Sequence, residues 1–230
     1  MARLKRVAPN GVAQHVIQRG NNRQVCFGGD EDMAAYISWL TEYSKKFDVS
    51  IHAWVLMTNH VHLLCTPNQE LGVSKMMQCL GRSYVRYFNF TYRRSGTLWE
   101  GRFKSCLIDS EQYLLEVYRY IELNPVRANM VKDPSEYRWS SYQFNALGRQ
   151  SRLITPHIIY QRLGRNEKER EGNYRELFRE NLSENLITEV RKATNSGLAL
   201  GNNFFIEQIE NLTQKRVSPK SVGRPKRVKK

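Results

Sequence analysis

Residues 51–66 constrain this chain more than any other stretch. Residues 51–57, Ile-His-Ala-Trp-Val-Leu-Met, and residues 60–66, His-Val-His-Leu-Leu-Cys-Thr, are both rich in β-branched and aromatic side chains. Thr58-Asn59 between them is turn chemistry, so the pattern predicts a β-hairpin. Side chains alternate across a strand, which puts His60 and His62 on one face, roughly 6 to 7 Å apart by strand rise. Val61, Leu63 and Cys65 then face the opposite way, toward a core. Two imidazoles on one face of a rigid strand can hold a metal ion. They can equally be a hydrogen-bonded pair in a half-buried sheet, and the hairpin alone does not decide between the two.

The remaining chemistry depends on charge. The chain has 230 residues, 25% charged and 40% hydrophobic, with a formal net charge of +14. That length suits one folded domain with an appendage. Eight of the basic residues (Lys215, Arg216, Lys220, Arg224, Lys226, Arg227, Lys229 and Lys230) lie in residues 214–230, where there is no acid. A basic body with a basic tail points to a polyanion, above all nucleic acid. Cys26, Cys65, Cys79 and Cys106 show no C-x-x-C spacing and are expected as free, largely buried thiols in a reducing compartment. No apolar run approaches a membrane span and no signal-peptide pattern opens the chain, so a cytoplasmic, nucleoid-associated protein is expected.

Along the chain, residues 12–18 alternate as a first strand, followed by the basic loop Arg19-Gly20-Asn21-Asn22-Arg23. Met33, Tyr36, Ile37, Leu40, Tyr43 and Phe47 recur at helical spacing, as do Met76, Met77, Leu80, Tyr84 and Phe88 further on. The second stripe reads as core rather than as a base-stacking platform. Residues 105–108 suggest another strand, and Asp109 or Ser110 a helix cap. That helix carries Leu114, Val117, Tyr118 and Ile121 before Asn124-Pro125 stops or kinks it. The order β, α, β, β, α, β, α predicts an α+β fold, an antiparallel sheet with helices on one face and the other face open to a ligand. Residues 1–147 form the main domain in this reading. Residues 148–213 are expected to form a helical, DNA-binding-like appendage of helix-turn-helix type, and residues 214–230 a basic disordered tail.

The helix before Pro125 supplies what the histidine pair lacks. Tyr120 and Asn124 stand four apart and share a face in a regular helix. The asparagine offers a carbonyl oxygen to a hard cation, and the tyrosine a phenol that serves as both nucleophile and leaving group. A kink at Pro125 would swing Asn124 off that face. Each residue also has a plain structural reading, tyrosine as packing and Asn-Pro as a stop signal.

Four segments in register carry a resemblance. They are His15-Val16-Ile17-Gln18-Arg19-Gly20-Asn21-Asn22-Arg23, Thr58-Asn59-His60-Val61-His62-Leu63-Leu64, Trp99-Glu100-Gly101-Arg102-Phe103-Lys104-Ser105 and Tyr120-Ile121-Glu122-Leu123-Asn124-Pro125-Val126-Arg127-Ala128. Over residues 11–142 the chain resembles the single-tyrosine HUH transposases, and among them the REP-associated tyrosine transposases of bacteria. The resemblance implies a ferredoxin-like sheet, Tyr120 as nucleophile, and His60, His62 and Asn124 as ligands to Mg²⁺ or Mn²⁺. It also implies cleavage and rejoining of single-stranded DNA through a 5′-phosphotyrosine, on REP-type hairpins with a short guide. Candidate DNA contacts are Arg19, Asn22, Arg23, Arg102, Lys104 and Arg127, with Arg224 and Lys226 in a tail similar to an AT-hook. A monomer rather than a dimer is expected. The rival readings are a catalytically idle hairpin-binding regulator, an RNA-binding sheet, and a metallohydrolase in which Tyr120 is a bystander.

Overall fold

The computed structural model describes residues 6–219. Its elements are β1 (Gln14–Arg19), a 3₁₀ turn (Asn21–Arg23), α1 (Asp30–Lys46), β2 (Val49–Met57), β3 (His60–Pro67), α2 (Gly72–Thr91), β4 (Lys104–Ile108) and α3 (Ser110–Glu122). There follow α4 (Asn124–Arg127), a 3₁₀ turn (Pro134–Glu136), α5 (Tyr142–Asn145), α6 (Ile158–Gln161), α7 (Glu167–Glu176), α8 (Glu184–Ser196), β5 (Ala199–Leu200) and α9 (Asn203–Thr213). The seven-element order read from residues 12–124 is present, and Asp109 caps α3 by accepting from the Glu111 amide.

The strands form one sheet in the order β2-β3-β1-β4-β5. Neighbours run antiparallel except for β5, which lies parallel to β4 with Leu107 opposite Ala199 and Ile108 opposite Leu200. The α+β class holds, with one correction: helices cover both faces. One face packs Val16, Val61, Leu63 and Cys65 against α1 and α2, through Tyr36, Leu40, Met76, Leu80 and Tyr84. The other packs Ala53, Val55, Leu64 and Cys106 against Leu114, Val117, Tyr118 and Ile121 of α3. The physical reason is legible in β2. Its Ala53-Trp54-Val55-Leu56-Met57 run is buried at both parities, which requires cover on both sides.

The stretch from 148 on does not stand wholly apart from the sheet. Ile187, Val190 and Ala193 of α8 share the core of the α3 face, and β5 extends the sheet itself. The boundary of the expected tail also shifts. Val217 is buried, its carbonyl accepts from the Ala199 amide, and Glu210 accepts from the amides of Val217 and Ser218. Val217 and Ser218 are thus held against β5 and α9. The tail from residue 220 on, with Arg224 and Lys226, lies outside the described residues.

Candidate active site

The site is built where β1, β3 and α3 meet. Residues directly opposite in paired strands share a face, and the register sets His15 against Leu64, Ile17 against His62 and Arg19 against His60. His15, His60, His62 and Arg19 therefore project from one side of the sheet. It is the side that α3 covers, and Tyr120 near the end of that helix comes down among the imidazoles. Ring centroids are 5.7 Å apart for His62 and Tyr120, 5.6 Å for His15 and Tyr120, and 5.0 Å for His60 and His62. The two histidines and the tyrosine selected from the sequence are brought together in one chain.

Hydrogen bonds set which imidazole nitrogens carry protons. Asn59 donates its amide to the Arg23 carbonyl, 3.2 Å, which turns its Oδ1 toward His60 Nδ1 at 2.6 Å. An oxygen can only accept there, so His60 carries its proton on Nδ1 and keeps a lone pair on Nε2. His62 Nδ1 meets His15 Nε2 at 2.8 Å. All three rings are held neutral. Burial, then the Arg127 charge, lowers His15 to about 3. Burial, then Arg19 and Arg127, lowers His60 to about 4. His62 is driven well down by burial and by its charged and imidazole neighbours. Neutral imidazoles are the form that binds metal.

Asn124 begins α4 just beyond the break at Leu123, and its amide turns back to donate weakly to the Tyr120 carbonyl, 3.4 Å. This orientation leaves its Oδ1 free of the helix. Among the described residues no hydrogen bond joins it to either histidine. Two imidazole nitrogens with one amide oxygen would make an N,N,O donor set for a divalent cation, the imidazoles suiting a transition metal and the amide oxygen a harder ion such as Mg²⁺ or Mn²⁺. No third His, Cys, Asp or Glu joins the pair to form a metal cluster among the described residues.

Arg127, expected from the sequence only as a DNA contact, is a further member of the site. Its guanidinium lies over the Tyr120 ring, 4.3 Å from the centroid. Nε, Nη1 and Nη2 are all buried and none has a hydrogen-bond partner among the described residues. Burial lowers its pKa, offset in part by Tyr120. A desolvated cation without an anion is costly, so the position suits a negative group that arrives from outside.

Among the other candidates, Arg19, Arg102 and Lys104 line one small cleft beside the site, together with Ile17, Glu100, Gly101 and Asn195. Lys104 donates to the Asn195 amide oxygen at 3.0 Å. Asn22 and Arg23 are exposed in the 3₁₀ turn, and it is they, not Gly20, that take positive φ, 50° and 58°. Gly20 serves a different need. A Cβ there would sit 2.3 Å from the Gln24 carbonyl oxygen, so only glycine lets this basic loop fold back beside the β2–β3 turn.

A family model described as IS200-like transposase matches residues 10–124, half of the chain. The chain belongs to the IS200-like transposases. It is an enzyme of DNA transposition by that membership. The fold is similar to the structure of a REP-associated tyrosine transposase bound to a REP hairpin. That match has 18% identity, covers 69% of this chain and 93% of that one, and has a TM-score of 0.52. A putative transposase from Deinococcus radiodurans aligns at 23% identity over 53% of this chain and 96% of that one, with a TM-score of 0.37, too low to add to the argument. No curated protein matches this chain. Among the described residues no helix is long and apolar enough to cross a membrane.

Sequence reasoning missed His15 and Glu122 of this transposase's site, and gave Arg127 only as a DNA contact, not as a group over the tyrosine. His15 lies in a strand whose register with β3 is not visible from spacing. The place of Arg127 over the tyrosine depends on how α4 turns. Glu122, wholly buried between Tyr120 and Asn124, accepts from Ser141, Asn145 and Tyr174 at 2.5, 2.8 and 2.7 Å and so ties the end of α3 to α5 and α7. A glutamate amid apolar helix positions was the available signal.

Proposed function

We propose that this transposase cleaves and rejoins single-stranded DNA beside REP-type hairpins through a covalent bond to Tyr120. The observation that carries the reading is the convergence of Tyr120 with His60 and His62, whose Nδ1 atoms are committed to hydrogen bonds. His60, His62 and Asn124 would hold a divalent cation, Mg²⁺ or Mn²⁺, which would supply Lewis acidity toward the scissile phosphate.

The protein's own groups do the rest. Tyr120 Oη attacks phosphorus, a P–Oη bond forms, and the P–O3′ bond breaks to leave a 3′-OH and a 5′-phosphotyrosine. Attack by a 3′-OH on that phosphotyrosine reverses the exchange and releases the phenol, so no nucleotide energy source is needed. Arg127 lies over the ring, and its N–H groups, unpaired among the described residues, are available to the charge that builds on the phosphate. Arg19, Arg102 and Lys104 form a cationic approach for the backbone, with Asn22 and Arg23 at its rim and Arg224 and Lys226 adding affinity from the tail. The nucleophile and both histidines come from one chain, which supports action as a monomer.

The test is incubation with single-stranded REP-type DNA and Mn²⁺, followed by denaturing electrophoresis. A covalent adduct mapping to Tyr120 is expected. Hairpin binding without any adduct would instead make the protein an idle regulator, and cleavage without an adduct a metallohydrolase.

A further inference from the structure

Helix α8 lies in the part of the chain that the sequence sets apart as an appendage, yet it reaches His15, the hydrogen-bond partner of His62. Thr194 Oγ1 is 2.7 Å from the Val190 carbonyl, 2.8 Å from His15 Nδ1 and 3.2 Å from Cys106 Sγ. His15 Nε2 is in turn 2.8 Å from His62 Nδ1, and the two rings are parallel within 5°. His15, His62 and Thr194 are 1%, 3% and 3% exposed, so water does not replace any of these partners.

The protons along this chain are fixed by counting. A hydroxyl has one hydrogen, and that of Thr194 goes to the Val190 carbonyl, which can only accept. Toward His15 the threonine oxygen therefore accepts, which places the His15 proton on Nδ1. A neutral imidazole has a single N–H, so His15 Nε2 accepts, and His62 Nδ1 must donate to it. The lone pair of His62 is left on Nε2. His60 reaches the same state by a separate and local route, through Asn59.

We propose that Thr194 and His15 are positioning residues that lock His62 in the Nδ1–H tautomer, with its Nε2 lone pair presented to the divalent cation. This rests on the metal reading given above. It makes α8 part of the catalytic unit, although Thr194 lies 179 residues from His15 in the chain. Partners of this kind orient a ligating imidazole and raise its basicity, and their loss costs about 10- to 100-fold in metal affinity.

The experiment has two arms on the full-length protein. In the first, ¹⁵N-resolved NMR of the metal-free wild type reads the tautomer of each histidine, and protonated Nδ1 with bare Nε2 is expected at His62. A proton on His62 Nε2 overturns the proposal. In the second, Mn²⁺ binding is titrated by electron paramagnetic resonance for wild type, Thr194→Val and Thr194→Ser, with circular dichroism melts alongside. Thr194→Val removes the acceptor and keeps the shape, and should weaken Mn²⁺ by about 10- to 100-fold. Thr194→Ser keeps the hydroxyl and should stay within about threefold. Equal affinity for Thr194→Val, or equal losses for both variants, overturns the relay in favour of packing alone. If Thr194→Val does not fold, the wild-type tautomer decides. A wild type that binds no Mn²⁺ brings down the metal reading and this proposal with it. A relay failure is different: there the wild type binds and the hydroxyl does not matter.

Discussion

The two faces of the sheet are built from the same five strands to opposite ends. The face under α1 and α2 is packed with rings. Tyr36 and Tyr84 are 5.1 Å apart edge to face, Phe27 lies 5.4 and 5.3 Å from them, and Trp99 closes the group at 5.8 Å from Tyr84. Tyr84 spends its hydroxyl on the Cys26 carbonyl at 2.6 Å. Under α3 the same depth of burial holds His15, His62, Glu122 and Thr194 in hydrogen bonds, with the unpaired Arg127 nitrogens beside them. Apolar burial stabilises one face by some 25 cal/mol per Å² removed from water. On the other, polar groups are taken out of water, which is tolerable only where each finds a partner. Unpaired polar atoms are not what separates the faces, since Tyr36, Trp54 and Trp99 of the ring-packed face leave one each; function sits on the face that buries imidazoles and a guanidinium together.

The sharpest way to break that contrast is Tyr120→Phe. The ring and its packing remain and only the hydroxyl is lost. Cleavage of single-stranded REP-type DNA should fall to background while DNA affinity stays within a few-fold. An adduct trapped on Tyr113 or Tyr118 instead would move the nucleophile.

Arg127→Met comes next and separates function from stability. The unpaired guanidinium is a cost in the free protein and an asset to the developing phosphate charge. Cleavage should drop by roughly 10²- to 10³-fold, the size usual for a lost oxyanion donor. Urea unfolding should show equal or greater stability, since a desolvated charge is replaced by an apolar chain. A clear loss of stability would mean that Arg127 supports the fold.

Leu80→Ala and His60→Ala then set one face against the other. Leu80 is fully buried in the ring-packed core, and its truncation should cost about 2 to 5 kcal/mol while leaving Mn²⁺ affinity unchanged at temperatures where the variant is folded. His60 is half-buried, its ring bonded to Asn59 and set edge-on to His62. Its replacement should abolish Mn²⁺ binding with little change in melting temperature. The reverse pattern, with His60 carrying stability, would restore the plain reading of the pair as core histidines.

Much of this architecture is legible in the sequence because it is local. The hairpin, the Asp109 cap and the stripe Met76, Leu80, Tyr84, Phe88 all follow from alternation, turn chemistry and helical period. So does the shared face of His60 and His62. What escapes is set by pairing over long distances. The register that brings His15 beside His62, the parallel addition of β5 to β4, and the seating of Thr194 on His15 join residues 47 to 179 positions apart. Nothing in their spacing encodes these. The second helical layer was half legible, since β2 is apolar at both parities, but which helix covers it is a matter of topology. Asn124 shows the limit from the other side. Its spacing from Tyr120 suggests one continuous helix, whereas the chain breaks at Leu123 and begins a new turn.

The smallest effect, a slope with pH, tests the polar face as a whole. Burial lowers His52 and His60 to about 4 and His15 to about 3, and His62 moves the same way. Between their unfolded value of 6.5 and these folded values the unfolded chain binds more protons, so stability falls as pH falls. Glu122 runs the other way. Burial raises its carboxyl from 4.5 to about 7 against the pull of Ser141, Asn145 and Tyr174. Between those two values the folded protein holds the extra proton, and the stability it contributes is lost as pH rises. In wild type several imidazoles outweigh one carboxyl, and stability measured in urea with a chelator present should decline from pH 6.5 toward pH 5. Glu122→Gln removes the opposing group while keeping an amide for its partners. Its stability should therefore fall more steeply over that window, by up to about 1.4 kcal/mol per pH unit, one proton's worth. Parallel slopes for the two proteins would mean that Glu122 is ionised in the fold, held by its three donors against the cost of burial.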